Sequence, residues 1–430
     1  MTVTVTDAET DVLVIGGGGT GVGIARDLAM RGVSVTLVER NGLGQGTSGR
    51  SHGLLHSGAR YAESDPEGAR ECMPENRILK DIAGECIRDS GGYFVQVAGD
   101  DPAYFDEKLE ACREVGIDAE VRSGDAARRT VPALSAAVER VMEVPDGSIY
   151  PSRLVAATAA SAHACGATIR PHVGVTDIHT DGDRVTGATI EDTSVGGTSA
   201  SGGNEERIDA EHVVNATGAW AGRLGELAGL DIEMQPAKGV MVAIDVDGLD
   251  RVLNRCREPD DGDIVIPHED QVVLGTTSVP VNDPEAYDRA DWEVERVIEE
   301  CASMLPNLRG RDPARTYWGV RPLYEPNNAE REQRGISRGF FLLDHERRDG
   351  VEGICSIVGG KLTTHRLMAE AVSDHVADRL GVDAPCYTAE EPLPGADDPA
   401  ELDRYVAEFN ARGPADEDVV GRRPESAPPR

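Results

Sequence analysis

The 430-residue sequence is poor in several things at once, and each shortage excludes something. Lysine is nearly missing: of 43 basic residues only Lys80, Lys108, Lys238 and Lys361 are lysines. Aromatic residues make up 4% of the chain. No apolar run approaches the roughly 18 residues of a membrane span. The N-terminal stretch MTVTVTDAETD is acidic and has no apolar core, so it does not read as a secretory signal. The eight cysteines (72, 86, 112, 165, 256, 301, 355 and 386) are spread out and form no C-x-x-C or Cys/His cluster. That pattern argues against a local zinc or iron–sulfur site, and no metal is expected. Scattered reduced thiols suit the cytosol, so a cytoplasmic chain is expected, held at a membrane only through something else.

Basic residues are also scarce against acidic ones, 43 to 77, which leaves a formal net charge of -34. Such a surface repels nucleic acid and anionic lipid. Acidic excess, lysine scarcity and few aromatics together predict a halophilic protein, whose self-repulsion is screened by concentrated salt. Each surviving lysine becomes a candidate for work that arginine cannot do.

What is present begins with DVLVIGGGGTGVGIARDLAMRGVSVTLVER, a βαβ unit. A continuous apolar strand suits a sheet buried on both faces. Gly16, Gly18 and Gly21 then open a helix with Val22, Ala25, Leu28 and Ala29 at helical spacing, and Glu39 ends the second strand. The glycines permit a tight turn and close approach of a pyrophosphate to the helix N-terminus, and the acid can accept from a ribose diol. A dinucleotide site is expected. Towards the other end, GICSIVGGKLTTHRLMAE reads as a strand, a Gly359-Gly360 turn and a helix starting near Leu362. A second helix N-terminus of this kind suits the edge of a flavin that takes up negative charge on reduction. A third strand ends in Ala216-Thr217-Gly218. Three glycine-bearing strand ends fit a large cofactor held by a discontinuous domain.

The segments GTSGRSHGLLHSGARYA, VPDGSIYP, QPAKGV, NRCREPDDGDIVIP, LGTTS, WGVRPL, ISRGFFLLDH and GGKLTTHRLMAE occur in this order. From about residue 10 to 395 the chain closely resembles the large catalytic subunits of anaerobic glycerol-3-phosphate dehydrogenases, within the D-amino-acid-oxidase-like superfamily of FAD enzymes. The resemblance implies an α/β fold: a discontinuous Rossmann-like FAD-binding domain (1–85, 140–225, 335–390) and a substrate domain (86–139, 226–334) with an antiparallel sheet. Residues 391–430 are read as a helix capped by Asp398, with Pro399 at its first position, followed by a disordered tail; 191–207 are read as a mobile loop.

The cofactor-binding set expected on this basis is Gly16, Gly18, Gly21, Glu39 and Arg40, the loop residues Gly46, Thr47, Ser48, Ser51, His52 and Gly53, and Val173. Ala216, Thr217 and Gly218 join it, with Gly359, Gly360, Lys361, Leu362 and Thr363. Glycerol 3-phosphate needs a site for a dianion, and arginine forks bind phosphate oxygens well. Arg60, Tyr61, Lys238 and Arg338 are expected to bind it, with His56, Arg321 and Lys361 catalytic and Tyr317 and Trp318 packing. The implied reaction is hydride transfer from C2 to flavin N5 with proton loss from the C2 hydroxyl, giving dihydroxyacetone phosphate. His56 is the expected base. Aerobic relatives carry a histidine where this chain has Met241, so His365 or a lysine-based mechanism stays open.

The same resemblance implies other subunits of a complex that feeds electrons to the quinone pool, a location at the inner face of the membrane, and a cysteine-rich C-terminal cluster domain. This chain has no cysteine beyond Cys386, which leaves two readings: a truncation, or direct transfer from the flavin to a partner. The competing functions are an amino-acid or 2-hydroxyacid oxidoreductase on the same fold, which needs one arginine for a carboxylate, and a silent flavin-binding scaffold.

Overall fold

The computed structural model describes residues 7–194, 205–258, 262–325 and 339–421. The apolar run at the start forms the strand Asp7–Ile15, and its side chains divide between two cores. Val12 and Val14 pack under the helix Gly19–Met30, while Leu13 and Ile15 face the opposite side with Val38 and Val213. That double burial is why the strand has no polar alternation. Val35–Glu39 and Glu206–Asn215 flank it in parallel, and Ile354–Gly359 pairs in parallel with the end of the latter. Four strands whose carboxyl ends are Ile15, Glu39, Asn215 and Gly359 thus finish along one edge of an eight-stranded sheet. In open α/β sheets that edge is where ligands bind.

A nine-stranded, mostly antiparallel sheet forms the second layer. Ala237–Asp245, Ile264–His268, Gln271–Gly275 and Arg315–Arg321 supply much of it, and Gly92–Val97 joins through a parallel pairing with Val252–Arg255. The boundary expected at 140 falls inside the strand Val138–Val144, which pairs with Gly92–Val97 and so belongs with this sheet. Segment 191–207 is only partly described: strands end at Asp192 and resume at Glu206, and its expected mobility falls on 195–204, outside the described residues.

The helix Pro399–Glu408 starts as read, with the Asp398 carboxylate accepting from the N–H groups of Ala400 and Glu401. The chain then runs back across the molecule as a strap rather than as a tail. Ala415 N–H donates to Gly49 O, Gly413 N–H to Ser152 Oγ, and Arg315 to the carbonyls of Pro414 and Ala415. Asp416 is fully buried and accepts from Ser152 N–H and Oγ. The tail expected to be disordered falls on 422–430, outside the described residues.

None of the four lysines is surface-exposed. Lys108 and Lys238 are each 1% exposed and Lys80 and Lys361 are half-buried. The eight cysteines are all free thiols.

Candidate functional site

A cavity of about 610 Å³ lies along the carboxyl edge of the eight-stranded sheet and reaches the second sheet. Its size suits an organic cofactor with a small substrate. At one end stand Glu39 and Arg40, in the middle Gly16 and Gly18, and at the other Gly359 to Leu362 with His52, His56 and Tyr61. Gly16 has a φ of +112°, and a Cβ there would meet Ala216 O at 2.5 Å, so only glycine makes this turn. The helix Gly19–Met30 begins at Gly18 with no side-chain cap and no acid in its first turn, which leaves its dipole to an anionic ligand.

Glu39 Oε2 accepts from Gly17 N–H at 2.8 Å and Oε1 from Asn41 N–H at 2.9 Å. A carboxylate has about four acceptor positions, so it can also take up a diol. Arg40 lies over the Trp220 ring at 4.9 Å and pairs with Glu285, which also accepts from Trp220 Nε1. The loop hydroxyls hold the loop itself: Ser48 Oγ accepts from Gly19 N–H, Thr47 Oγ1 donates to Val320 O, and Ser51 Oγ donates to Ser48 O. Val173, Ala216, Thr217, Gly218 and Gly46 also line the cavity. Gly21, Gly53 and Thr363 do not. Gly21 packs on Gly16 O, Gly53 turns the loop at φ +75°, and Thr363 is buried with its Oγ1 accepting from His56 N–H. A long cavity with an acid at one end and two helix N-terminal turns in it fits a flavin dinucleotide: Glu39 would hold the ribose, the 16–19 turn the pyrophosphate, and the 359–362 turn the ring.

At the ring end the cations and aromatics converge. The Tyr61 ring is 5.2 Å from that of His56, and Lys361 Nζ lies 5.0 Å from the centre of the Tyr61 ring. Arg321, at the end of its strand, lines the cavity and donates to Thr277 O at 3.0 Å. His52 is pushed down to about 3 by burial and by the charges of Arg321 and Arg60. Burial likewise pushes His365 down to about 4; its Nδ1 is 2.8 Å from Leu362 O and it packs against Gly19.

Two expected substrate ligands are engaged elsewhere. Lys238 Nζ sits at 2.9 Å from Glu293 Oε2 and also bonds Asp288, away from the cavity lining. Fully buried Glu293 also accepts from Thr277 Oγ1 and Trp318 Nε1. Arg60 is bound to buried Asp263 at 2.7 Å and bears on the cavity through its field at His52. Arg338 lies outside the described residues. Tyr317 and Trp318 are buried, Met241 sits in the second sheet, and neither Trp318 nor Met241 lines the cavity. Lining residues outside the expected set are Trp220, two residues after Gly218, and Arg223, Glu285, Tyr287 and Arg289, which come from stretches with no motif of their own.

Comparison with known proteins agrees with this geometry. The family model described as FAD dependent oxidoreductase matches residues 11–374. The chain is 51% identical to the A1 subunit of the anaerobic glycerol-3-phosphate dehydrogenase of Haloferax volcanii, covering 96% of this chain and 70% of that one. It is 42% identical to the corresponding subunit of the Escherichia coli enzyme, covering 92% and 72%. Among solved structures it matches the glycerol-3-phosphate dehydrogenase of Bacillus halodurans complexed with FAD, with a TM-score of 0.67, 25% identity, and 93% and 72% coverage. A glycine oxidase from Geobacillus kaustophilus, at 23% identity and a TM-score of 0.68, shares the fold over 90% of this chain and 98% of that one. A glycine turn with an acid beside it and a lysine-bearing second turn meet in one cavity of a chain that belongs to the FAD dependent oxidoreductases, in the family of the large subunits of anaerobic glycerol-3-phosphate dehydrogenase.

Proposed function

We propose that the chain oxidises sn-glycerol 3-phosphate to dihydroxyacetone phosphate. The observation that carries the reading is the convergence of Arg321, Lys361, Tyr61 and His56 at the ring end of the cavity. FAD, when bound, supplies the two-electron acceptor for the hydride leaving C2. Arg321 offers a fork to the phosphate, and Lys361, donating towards the substrate, makes the C2 hydroxyl more acidic. His56 takes that proton. Among the described residues three histidines line the cavity, and burial leaves His52 and His365 too weakly basic for the task. Thr363 and Asn76 hold His56 by its backbone, the one accepting its N–H and the other donating to its carbonyl. The discontinuous division into a cofactor domain and a substrate domain is part of this reading, with the cavity between the two sheets.

Partner subunits that pass the electrons to quinone complete the proposal. No helix among the described residues is long and apolar enough to cross a membrane, and a net charge of -34 opposes anionic lipid. A place at the inner face of the membrane would therefore depend on those subunits. The test is anaerobic mixing with glycerol 3-phosphate, lactate or D-alanine, followed by reoxidation. Glycerol 3-phosphate alone bleaches the flavin quickly, and a soluble dye reoxidises it far faster than quinone in protein-free liposomes. Equal bleaching by lactate or D-alanine overturns the substrate, and equal reoxidation by liposomal quinone overturns the need for partners.

Glu39→Ala is expected to weaken FAD retention by about 1–3 kcal/mol, the cost of losing a hydrogen-bonded acceptor of charge. Equilibrium dialysis of released flavin measures it; unchanged affinity removes Glu39 from the ribose site.

A further inference from the structure

His212, Cys355 and His375 are far apart in sequence, yet each offers a ligand atom and the three atoms lie within 4.8 Å of one another. The fold explains how. Val214 and Cys355 are partners across two parallel strands, and His212 stands two residues before Val214, so His212 and Cys355 are diagonal neighbours on one sheet face. The helix His365–Leu380 covers that face through Val372 and Val376, and His375 lies between them in sequence. The rings of His212 and His375 meet edge to face at 6.0 Å.

A second observation is independent of this proximity. His212 is only 5% exposed, and its buried Nε2 has no hydrogen-bond partner among the described residues. A buried polar atom left unsatisfied is costly and uncommon, and an ion that accepts its lone pair removes the cost. Cys355 is fully buried and His375 half-buried, so a cation held here is shielded on the sheet side and reached past His375.

We propose that His212, Cys355 and His375 form a three-donor site for a thiophilic d10 cation, zinc(II) or copper(I). One thiolate and two imidazoles are the donors such ions select. Tetrahedral zinc places donor atoms about 3.5 Å apart, a contraction that side-chain rotation supplies. Binding forms the metal–sulfur bond and breaks the Cys355 S–H bond, releasing its proton to solvent. Asp344, paired in register with Cys355, offsets the remaining positive charge, while its partner Arg379 and Arg184 lie on the cationic side of the balance. A fourth position is left to water, on the side of His375. The site is separate from the cavity, which neither His212, Cys355 nor His375 lines. Its role is to fasten the helix that follows the 359–362 turn to the sheet beneath it.

The test uses the full-length holoenzyme in its working salt. After dialysis against a weak chelator, elemental analysis is expected to find about one zinc or one copper per chain, the two metals distinguishing the occupant. Cobalt(II) in place of zinc gives a thiolate-to-metal charge-transfer band in the near ultraviolet. Cys355→Ser abolishes that band, and His375→Gln weakens metal affinity at least about tenfold while FAD content and circular dichroism stay unchanged. Because Cys355 is in the core, His375→Gln, at a half-buried position, keeps the test valid if the serine variant fails to fold. Less than about a tenth of an equivalent of either metal after supplementation, or a cobalt spectrum without the thiolate band, overturns the proposal.

Discussion

Arg321→Ala lowers kcat/KM for glycerol 3-phosphate by at least about a hundredfold, since a buried charged contact to substrate is worth roughly 3 kcal/mol. The bound flavin spectrum stays almost unchanged. The reason for that split is the position of the guanidinium: it reaches the cavity from the end of Arg315–Arg321, in the second sheet, whereas the dinucleotide turns belong to the first. Its hydrogen bond to Thr277 O fixes the angle at which the fork meets the cavity. Arg321→Lys keeps the charge without the fork and is expected to recover only part of the loss. Steady-state kinetics with flavin-loaded enzyme decides it. A fully active alanine variant points to another cation at the cavity, and Arg289 is the next to test.

Salt dependence should be as large an effect. Even if each of the 43 basic residues were paired with an acid, an excess of 34 negative charges would remain on the folded chain. The arginines are heavily committed, as in Arg31 with Asp27 and Asp374, or Arg366 with Glu75 and Glu370. What the excess costs depends on the screening length, about 10 Å at 0.1 M salt and about 3 Å at 1 M. Structure and activity are therefore expected only at high salt, with the FAD-bound form unfolding below roughly 1 M KCl as self-repulsion lengthens in range. Thermal melts across about 0.1 to 3 M KCl test this, and a flat melting temperature over that range refutes it.

The parts of the site that can be read from sequence are those whose chemistry is contiguous. Gly16 to Glu39 and Gly359 to Leu362 are each built on a strand and a turn that leads into a helix, so local spacing carries their meaning. His52, His56 and Tyr61 follow for the same reason, within one short segment that lines the cavity. Lys238 shows where that reasoning stops. Its scarcity marks it as significant, but its partner Glu293 comes from a distant helix, and only the fold shows the ammonium bound to that carboxylate and not among the cavity lining. Arg289 and the His212–Cys355–His375 cluster are invisible along the chain because nothing adjacent to each predicts its partners. Residue 140 falls inside the strand Val138–Val144 because the sequence VERVMEV alone does not say which sheet it joins.

The strap at 411–421 has a consequence for how the protein is made. Its backbone is what Gly49 O, Ser152 Oγ and the Arg315 guanidinium hold, and Asp416 fills the space beneath. The loop it covers leaves the ribosome long before the strap does. Ile354–Gly359, which carries the second turn, also emerges well after that loop. Until then the nascent βαβ unit can begin to fold, as N-terminal segments do during synthesis, but it has no complete pocket. The cavity lining is therefore complete only once Met368 has been made, and the strap, made last of all, then ties Gly49 and Ser152 to the far end of the chain.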